Sequence, residues 1–271
     1  MHGIEVFHYF HEFAFFITIA GLLLVASEIA YFCGKRAIKK LKPELASSAE
    51  NVSSALLGLL ALLMGFAFAM SLNRFETRKN LLREEVTNIQ VAYRNADFLW
   101  PHDATVEAKK MFADYTGLRT QYYQKGTLAA DMQNILNETV SLQNKLWAWS
   151  IQKLNHNPEK MPHVSTFVNS LNPVFTDYTK RTEARNDHIP EAILWLLLTV
   201  AIIAISTKTY SLGLKGAHLL LPRMFMILAI SSVMVIILDL DRPIRGIIQI
   251  DQHEMTDLRE VIVKDLQKSK K

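Results

Sequence analysis

Four long apolar runs with few charges divide the chain. They lie at about 13–33, 53–72, 190–207 and 217–238. At 1.5 Å per residue, a helix of about 18–22 residues matches a hydrocarbon core of roughly 30 Å. We therefore predict an all-α protein with four transmembrane helices. The first run has no Lys or Arg before it, so we do not predict a signal peptide there.

The second apolar run has no break where it leaves the membrane. Ser53–Leu72 continue without Gly or Pro into Asn73–Arg78 and then into a charged amphipathic segment. This pattern predicts one helix that leaves the bilayer as a continuous rod. Such a rod is typical of a channel, a stator or a membrane sensor. No nucleophile–base pair, phosphate loop or zinc motif stands out in the sequence, so we do not predict an enzyme.

The segment between the second and third runs has helical periodicity throughout. Its apolar stripes recur at spacings of three and four. The stripes are Leu82, Val86, Ile89, Tyr93 and Ala96; Met111, Tyr115, Leu118 and Tyr122; Leu128, Met132, Ile135, Leu142, Leu146 and Trp149; and Val164, Phe167, Leu171, Val174 and Tyr178. Breaks are predicted at Trp100-Pro101, at Gly126 and at Asn155–Pro158, with a kink at Pro173.

These patterns predict four parts of the chain. A membrane pair occupies 1–73, and a soluble helical bundle occupies 74–188. A second membrane pair occupies 189–238, and a C-terminal segment covers 239–271. The bundle is inserted between the second and third spans.

Two ionisable residues fall inside the predicted spans. Glu28 lies near the end of the first span and Arg223 near the start of the fourth, so alternation of the spans places them at similar depth. An unpaired charge there costs several kcal/mol, roughly 2.5–3.5 on insertion scales. We therefore predict a contact between Glu28 and Arg223. It is interpreted first as a structural ion pair, with separate snorkelling to the interface or a role in ion or proton movement as alternatives.

The second span carries a stripe of small residues at spacings of three, four and four. These are Gly58, Ala61, Gly65 and Ala69. Small residues let helices approach closely, so simple packing is one interpretation. The other is that the helix lines a central pathway. Gly58, Leu62 and Phe66 lie one above the other, and repeated around an axis they would form an apolar constriction that gates by dewetting.

Acidic residues follow the fourth span, in Asp239-Leu240-Asp241-Arg242-Pro243-Ile244-Arg245-Gly246. Alternation places them level with Arg74 and Arg78, so we predict that Asp239 and Asp241 pair with these arginines. Carboxylates also suit calcium, and Glu84 and Glu85 could join either arrangement. Two carboxylates beside two arginines are not a calcium loop, however, and no metal site is predicted there. His8 and His11 lack a third ligand.

Composition and charge narrow the class without fixing the topology. The chain has 271 residues, of which 50% are hydrophobic, and a formal net charge of +4 that is spread along its length, so no nucleic-acid partner is predicted. A single cysteine, Cys33, excludes an intramolecular disulfide. The loop 34–52 is rich in Lys and Arg and is predicted to be cytoplasmic. The bundle side carries nearly as many positive charges, so the sequence leaves the side of the bundle open.

Two strings in the sequence resemble a known family. Leu62-Leu63-Met64-Gly65-Phe66 followed by Arg74-Phe75-Glu76-Thr77-Arg78 resembles the second span of bestrophin anion channels. Leu56-Leu57-Gly58, Arg74 to Glu85, and Asp239 to Gly246 resemble more closely a bestrophin-like family of bacterial membrane proteins. The resemblance covers the two membrane pairs and their flanks, and the middle helices carry no matching motif.

The resemblance implies a homo-oligomer, a pentamer in the family, with the second helix around the axis. Leu62 and Phe66 match two apolar neck positions, and Gly58 replaces a bulky third. The leading expectation is a passive anion channel without cofactors in a bacterial plasma membrane, with Arg74 and Arg78 at its mouth. The alternatives are a non-conducting scaffold or sensor whose bundle binds a partner, and a stator-like proton device using Glu28.

Overall fold

The structure is a computed structural model that describes residues 2–37, 43–99, 102–124, 129–156, 161–217, 219–242 and 247–268. Every regular element in these ranges is helical, which confirms the all-α prediction. The helices are α1 (His2–Ala37), α2 (Pro43–Asn95), α3 (His102–Gln124), α4 (Ala129–His156), α5 (Met161–Asn186), α6 (Glu191–Leu214), α7 (Leu220–Asp241) and α8 (His253–Lys268), with a 3₁₀ turn at Ala96–Phe98.

Four helices in the described ranges are long and apolar enough to cross a membrane, as the sequence predicts. Their apolar parts belong to α1, α2, α6 and α7. Helix α2 is 53 residues long, so it extends about 80 Å at 1.5 Å per residue. The absence of a break after its apolar part is therefore confirmed.

The structure describes only some of the residues at which the sequence predicts breaks between the helices of the bundle. Trp100-Pro101, Gly126 and the Asn157–Pro158 part of the third break lie outside the described residues. Helix α2 ends at Asn95, before Trp100, and passes into the 3₁₀ turn. Pro173 lies inside α5, which continues as a helix on both sides of the ring.

The chain divides into two compact units. The first contains residues 1–75 and 188–249, and therefore the membrane helices. Its core is built from aliphatic side chains that are almost fully buried. They include Leu23, Leu60, Leu197, Ile205, Ile227 and Ile237. A buried hydrogen bond from Ser71 Oγ to the carbonyl oxygen of Ile237, 3.0 Å long, links α2 to α7 within this unit.

Helices α1 and α6 approach most closely at two glycines. A Cβ atom added at Gly213 would lie 2.5 Å from the carbonyl oxygen of Tyr31, and one added at Gly34 would lie 3.1 Å from Gly213 Cα. Both atoms belong to backbone, which cannot rotate away. The two helices therefore touch backbone to backbone, which only glycine allows.

The second unit contains residues 76–187 and 250–271. It combines the polar part of α2 with α3, α4, α5 and α8. Its core is centred on Phe112 and Phe167, whose rings meet edge to face with centroids 6.2 Å apart. The sequence did not predict that α8 belongs to this unit, yet α8 buries Met255, Leu258 and Ile262 in the same core.

A polar cluster fixes the C-terminal end of α8. Asp265 accepts hydrogen bonds from Tyr93 Oη and from Lys109 Nζ, the latter 2.9 Å long. Lys109 Nζ also lies 2.6 Å from Asp97. The hydrogen bond from Tyr93, followed by that from Lys109, lowers the pKa of Asp265 below its usual value. The ionised carboxylate therefore stabilises the packing of α8.

Replacing Asp265 by asparagine should lower the melting temperature of the protein near neutral pH by about 1–4 °C, a small effect because the carboxylate is 41% exposed. A lowered pKa in the folded state contributes stability above the unfolded value, near 4. That contribution is lost as the pH falls further. Melting curves of both proteins from pH 7 to pH 3 test this: a gap that does not narrow on acidification would contradict it.

Candidate functional site

The membrane part of α2 has two distinct faces. Leu60, Met64 and Ala67 point into the core of the first unit and are 2–7% exposed. On the other side, Leu62 is 56% and Phe66 is 64% exposed. The two candidate constriction residues therefore project away from the unit to which they belong.

The small residues of α2 also lie on its exposed side. Ala61 and Ala69 are exposed, and a Cβ atom added at Gly58 or Gly65 would meet no other described atom within 4 Å. Packing within a single chain therefore does not explain the stripe. This face of α2 can therefore contact lipid, pack against a second copy of the chain, or line a pathway for ions.

Gly58, Leu62 and Phe66 form a short ladder along the exposed face. Successive members are four residues apart, which corresponds to about 6 Å along the axis and about 40° around it. The ladder contains one glycine, one leucine and one phenylalanine, so its side chains grow in size from Gly58 to Phe66.

The two charged residues of the membrane spans lie together. Arg223 Nη2 donates to Glu28 Oε1, and the Arg223 guanidinium lies 5.8 Å from the centre of the Tyr31 ring. Arg223 is 5% exposed, whereas the Glu28 side chain is 33% exposed. The contact joins α1 to α7 within the first unit.

Arg78 binds the end of a helix. Its Nε donates to the carbonyl oxygen of Ala184 at 2.9 Å, and its Nη2 donates to that of Asp187 at 2.6 Å. Helix α5 ends at Asn186, where carbonyl groups lack intrahelical partners and the helix dipole is negative. The arginine therefore caps α5. Arg74 lies half-buried one turn earlier on α2.

The two aspartates in the last turn of α7 bind backbone amides. Asp239 accepts from the N–H groups of Ile247 and Ile248 at 2.7 and 2.9 Å. Asp241 Oδ1 accepts from Ile189 N–H at 3.0 Å, and its Oδ2 lies 3.2 Å from His188 Nδ1. Both carboxylates are buried. Asp241 binds the segment just before α6, and Asp239 binds the segment that follows α7.

The predicted pairing of these aspartates with Arg74 and Arg78 stays a prediction. The guanidinium carbon of Arg242 lies 5.1 Å from the Phe15 ring centre. Pro243–Gly246, the rest of this string, lie outside the described residues. In the described part of the chain, no three His, Cys, Asp or Glu side chains are grouped as metal ligands.

A buried charge network occupies the core of the second unit. Arg119 Nε donates to Glu85 Oε1 at 2.6 Å, and its Nη2 donates to Oε2 at 3.3 Å. Arg181 Nη1 donates to the same carboxylate. Glu85 and Arg119 are 0% and Arg181 is 4% exposed. Removing one partner of a buried pair is far more costly than losing a surface bridge, so this network is a sensitive point of the fold.

Polar side chains surround the network. Arg181 Nη2 donates to Gln252 Oε1 at 3.1 Å, and Gln143 Nε2 donates to Tyr115 Oη at 3.3 Å. Burial lowers the pKa of Arg119, but the charge of Glu85, the nearby tyrosines Tyr123 and Tyr115, and the hydrogen bond to Glu85 together raise this pKa above its usual value. Burial, helped by Glu85, raises the pKa of Tyr115. The arginine therefore stays charged and the phenol neutral.

Sequence reasoning placed Glu85 at the membrane surface and did not identify Arg119. The sequence does contain a signal for this pair. Glu85 lies three residues after Leu82 and four before Ile89, on the apolar stripe of α2, and Arg119 lies four after Tyr115 on that of α3. Charged residues on the core stripes of two helices are candidates for mutual pairing.

The fold is similar to that of solved bacterial proteins. A crystal structure of a point variant of a bestrophin homologue from Klebsiella pneumoniae has 17% sequence identity and a TM-score of 0.68, covering 92% of this chain and 98% of that chain. A second variant gives 17% identity and a TM-score of 0.69, with 93% and 98% covered. At these identities the likeness concerns the fold. No curated protein matches the sequence.

The family model of the bestrophin-like domain matches residues 20–255. The match extends from the first membrane helix into α8 and includes the ladder on α2, the Glu28–Arg223 pair and the buried network of Glu85, Arg119 and Arg181. The four apolar helices and the helical unit between the second and third of them agree with it. The chain therefore belongs to the bestrophin-like family of membrane proteins.

Proposed function

We propose that this protein is a passive anion channel in the inner membrane of a bacterium. In this proposal, copies of the chain assemble as a homo-oligomer, a pentamer, with α2 of each copy facing the axis. The single observation that carries the proposal is the exposed ladder of Gly58, Leu62 and Phe66. It accounts for a face of α2 that the chain itself leaves uncovered.

The chemistry of the ladder suits a gate. A ring of Phe66 side chains with a ring of Leu62 about 6 Å away forms a short apolar neck, which closes by excluding water rather than by a polar plug. Arg74, two turns beyond Phe66 on the same helix, adds positive charge on the way out of the neck. Positive charge near a pore raises the local concentration of anions.

The proposal is tested by chloride flux from liposomes containing the purified protein. Phe66→Ala should raise the flux severalfold or change the selectivity between anions, because it widens the neck. Gly58→Leu should lower the flux, since it narrows the same ladder. Neither change disturbs the unit, because Phe66 is exposed and the space around Gly58 is open.

Phe68→Ala is the matched control. Phe68 is a phenylalanine on the same helix, but it lies about 200° around the axis from Phe66. The Phe68→Ala variant should leave the chloride flux unchanged. Absence of flux from all four proteins, with the oligomer intact, would contradict a channel and favour the alternative of a non-conducting scaffold whose helical unit binds a partner.

A further inference from the structure

Two arginine N–H groups in the second unit have no acceptor. Within the described residues, Arg119 Nη1 and Arg185 Nη1 are both buried and lack a hydrogen-bond partner. The other nitrogens of Arg119 are used by Glu85, and Arg185 Nη2 lies 2.9 Å from the Met132 sulfur. Buried guanidinium donors are normally satisfied, so these two require an explanation.

The two arginine side chains contact the same aromatic ring. The Tyr122 ring centre lies 5.6 Å from Arg119 Cζ and 4.3 Å from Arg185 Cζ, so the guanidinium groups flank a common aromatic ring. Tyr123 extends this aromatic wall, with its ring centre 5.5 Å from Arg119 Cζ and 4.0 Å from Arg181 Cζ. The guanidinium groups of Arg119 and Arg185 are therefore both held against the Tyr122 ring.

The charges at this place do not balance. The buried Arg119 and Arg181 carry two positive charges, and the partly exposed Arg185 adds a third beside them, whereas Glu85 supplies one negative charge. The other buried carboxylate on α5, Asp177, is engaged by Asn88 at 2.6 Å and by Lys180 at 3.6 Å. Taking an excess of positive charge out of water is unfavourable unless an anion accompanies it.

We propose that a small anion binds between Arg119 and Arg185, beside Tyr122, in the helical unit. The ligand is a halide or a small carboxylate, which accepts hydrogen bonds from Arg119 Nη1 and Arg185 Nη1. A bulky anion is excluded because both donor atoms are buried. This site is separate from the ladder on α2 and does not depend on whether the protein conducts.

The test is the melting temperature of the full-length protein in detergent, measured in chloride, acetate and gluconate at equal ionic strength. Binding to the folded state raises the melting temperature with ligand concentration. We expect a rise of about 5 °C or more in saturating chloride or acetate relative to gluconate. A rise in chloride alone identifies a halide, and a rise in acetate alone identifies a carboxylate.

Two variants locate the effect. Arg185→Gln removes one donor while Glu85 keeps both of its arginines, and it should abolish the rise. Arg83→Gln removes an exposed arginine of the same unit, paired with Glu254 at 3.2 Å, and should keep it. Equal melting temperatures of the wild type in all three salts, or a rise that persists in Arg185→Gln, would overturn the proposal.

Bromide provides a direct observation. Crystals of the full-length protein grown in bromide should show an anomalous peak beside Arg119 Nη1. A well-ordered Arg119 with water there and no peak would contradict the site, since water would then satisfy the buried donors.

Discussion

Replacing Glu85 by glutamine should destabilise the protein by about 3–5 kcal/mol, or lower its melting temperature by about 10 °C or more. The carboxylate is fully buried and accepts from both Arg119 and Arg181. A glutamine has the same size, but it carries no charge and presents an NH₂ group toward one of two donors. Two buried guanidinium groups would then face each other without compensation. Thermal melting in detergent measures the effect.

Glu84→Gln is the matched control for this change. Glu84 is the preceding residue on α2, its side chain is 55% exposed, and it lies 3.9 Å from Lys180. A surface pair of this kind contributes little, so the control should melt within about 2 °C of the wild type. If both variants melted at the same temperature, the network would not hold the second unit together.

Replacing Gly34 by alanine should also have a large effect, this time in the first unit. The new methyl group would collide with the backbone of α6 at Tyr210 and Gly213. Because backbone cannot change rotamer, the helices must move apart, at a cost of about 1–3 kcal/mol or more. We expect a lower melting temperature and a loss of folded protein during purification.

Gly21→Ala separates this clash from the general effect of alanine in a helix. Gly21 lies on the same helix, and a Cβ atom there would meet no described atom within 4 Å. Alanine favours helix over glycine by up to about 1 kcal/mol, so this control should be neutral or slightly stabilising. Destabilisation by both changes to the same extent would show that the contact at Gly34 is unimportant.

The fold was largely readable from the sequence because its strongest signals are local. A run of apolar residues the length of a bilayer, or a stripe at spacings of three and four, depends only on neighbours along the chain. The continuous course of α2 followed from the absence of Gly and Pro near Asn73. The membership of α8 in the second unit was missed because it depends on packing against α3, which ends more than 100 residues earlier in the sequence.

The sites were predicted less completely. Equal depth in the bilayer was enough to bring Glu28 and Arg223 together, since hydrocarbon offers a charge few other partners. The hydrogen bonds from the backbone amides of Ile247 and Ile248 to Asp239 were not predicted, because such contacts depend on backbone geometry and not on the pattern of residue types. The partners of Arg119 could not be assigned, because pairing across a core depends on the packing of whole helices.

The Glu28–Arg223 contact has a consequence for how the chain is made. Its members are 195 residues apart, which at about 5–20 residues per second corresponds to roughly 10–40 seconds of synthesis. During that interval α1 lies in the bilayer before Arg223 has been synthesised. Gly34 likewise lacks its contact with α6 until α6 has been synthesised. Until then the Glu28 carboxylate has no arginine partner on α7, and it must be hydrated by water at the membrane interface. The N-terminal membrane pair therefore completes its assembly only after α7 has been synthesised.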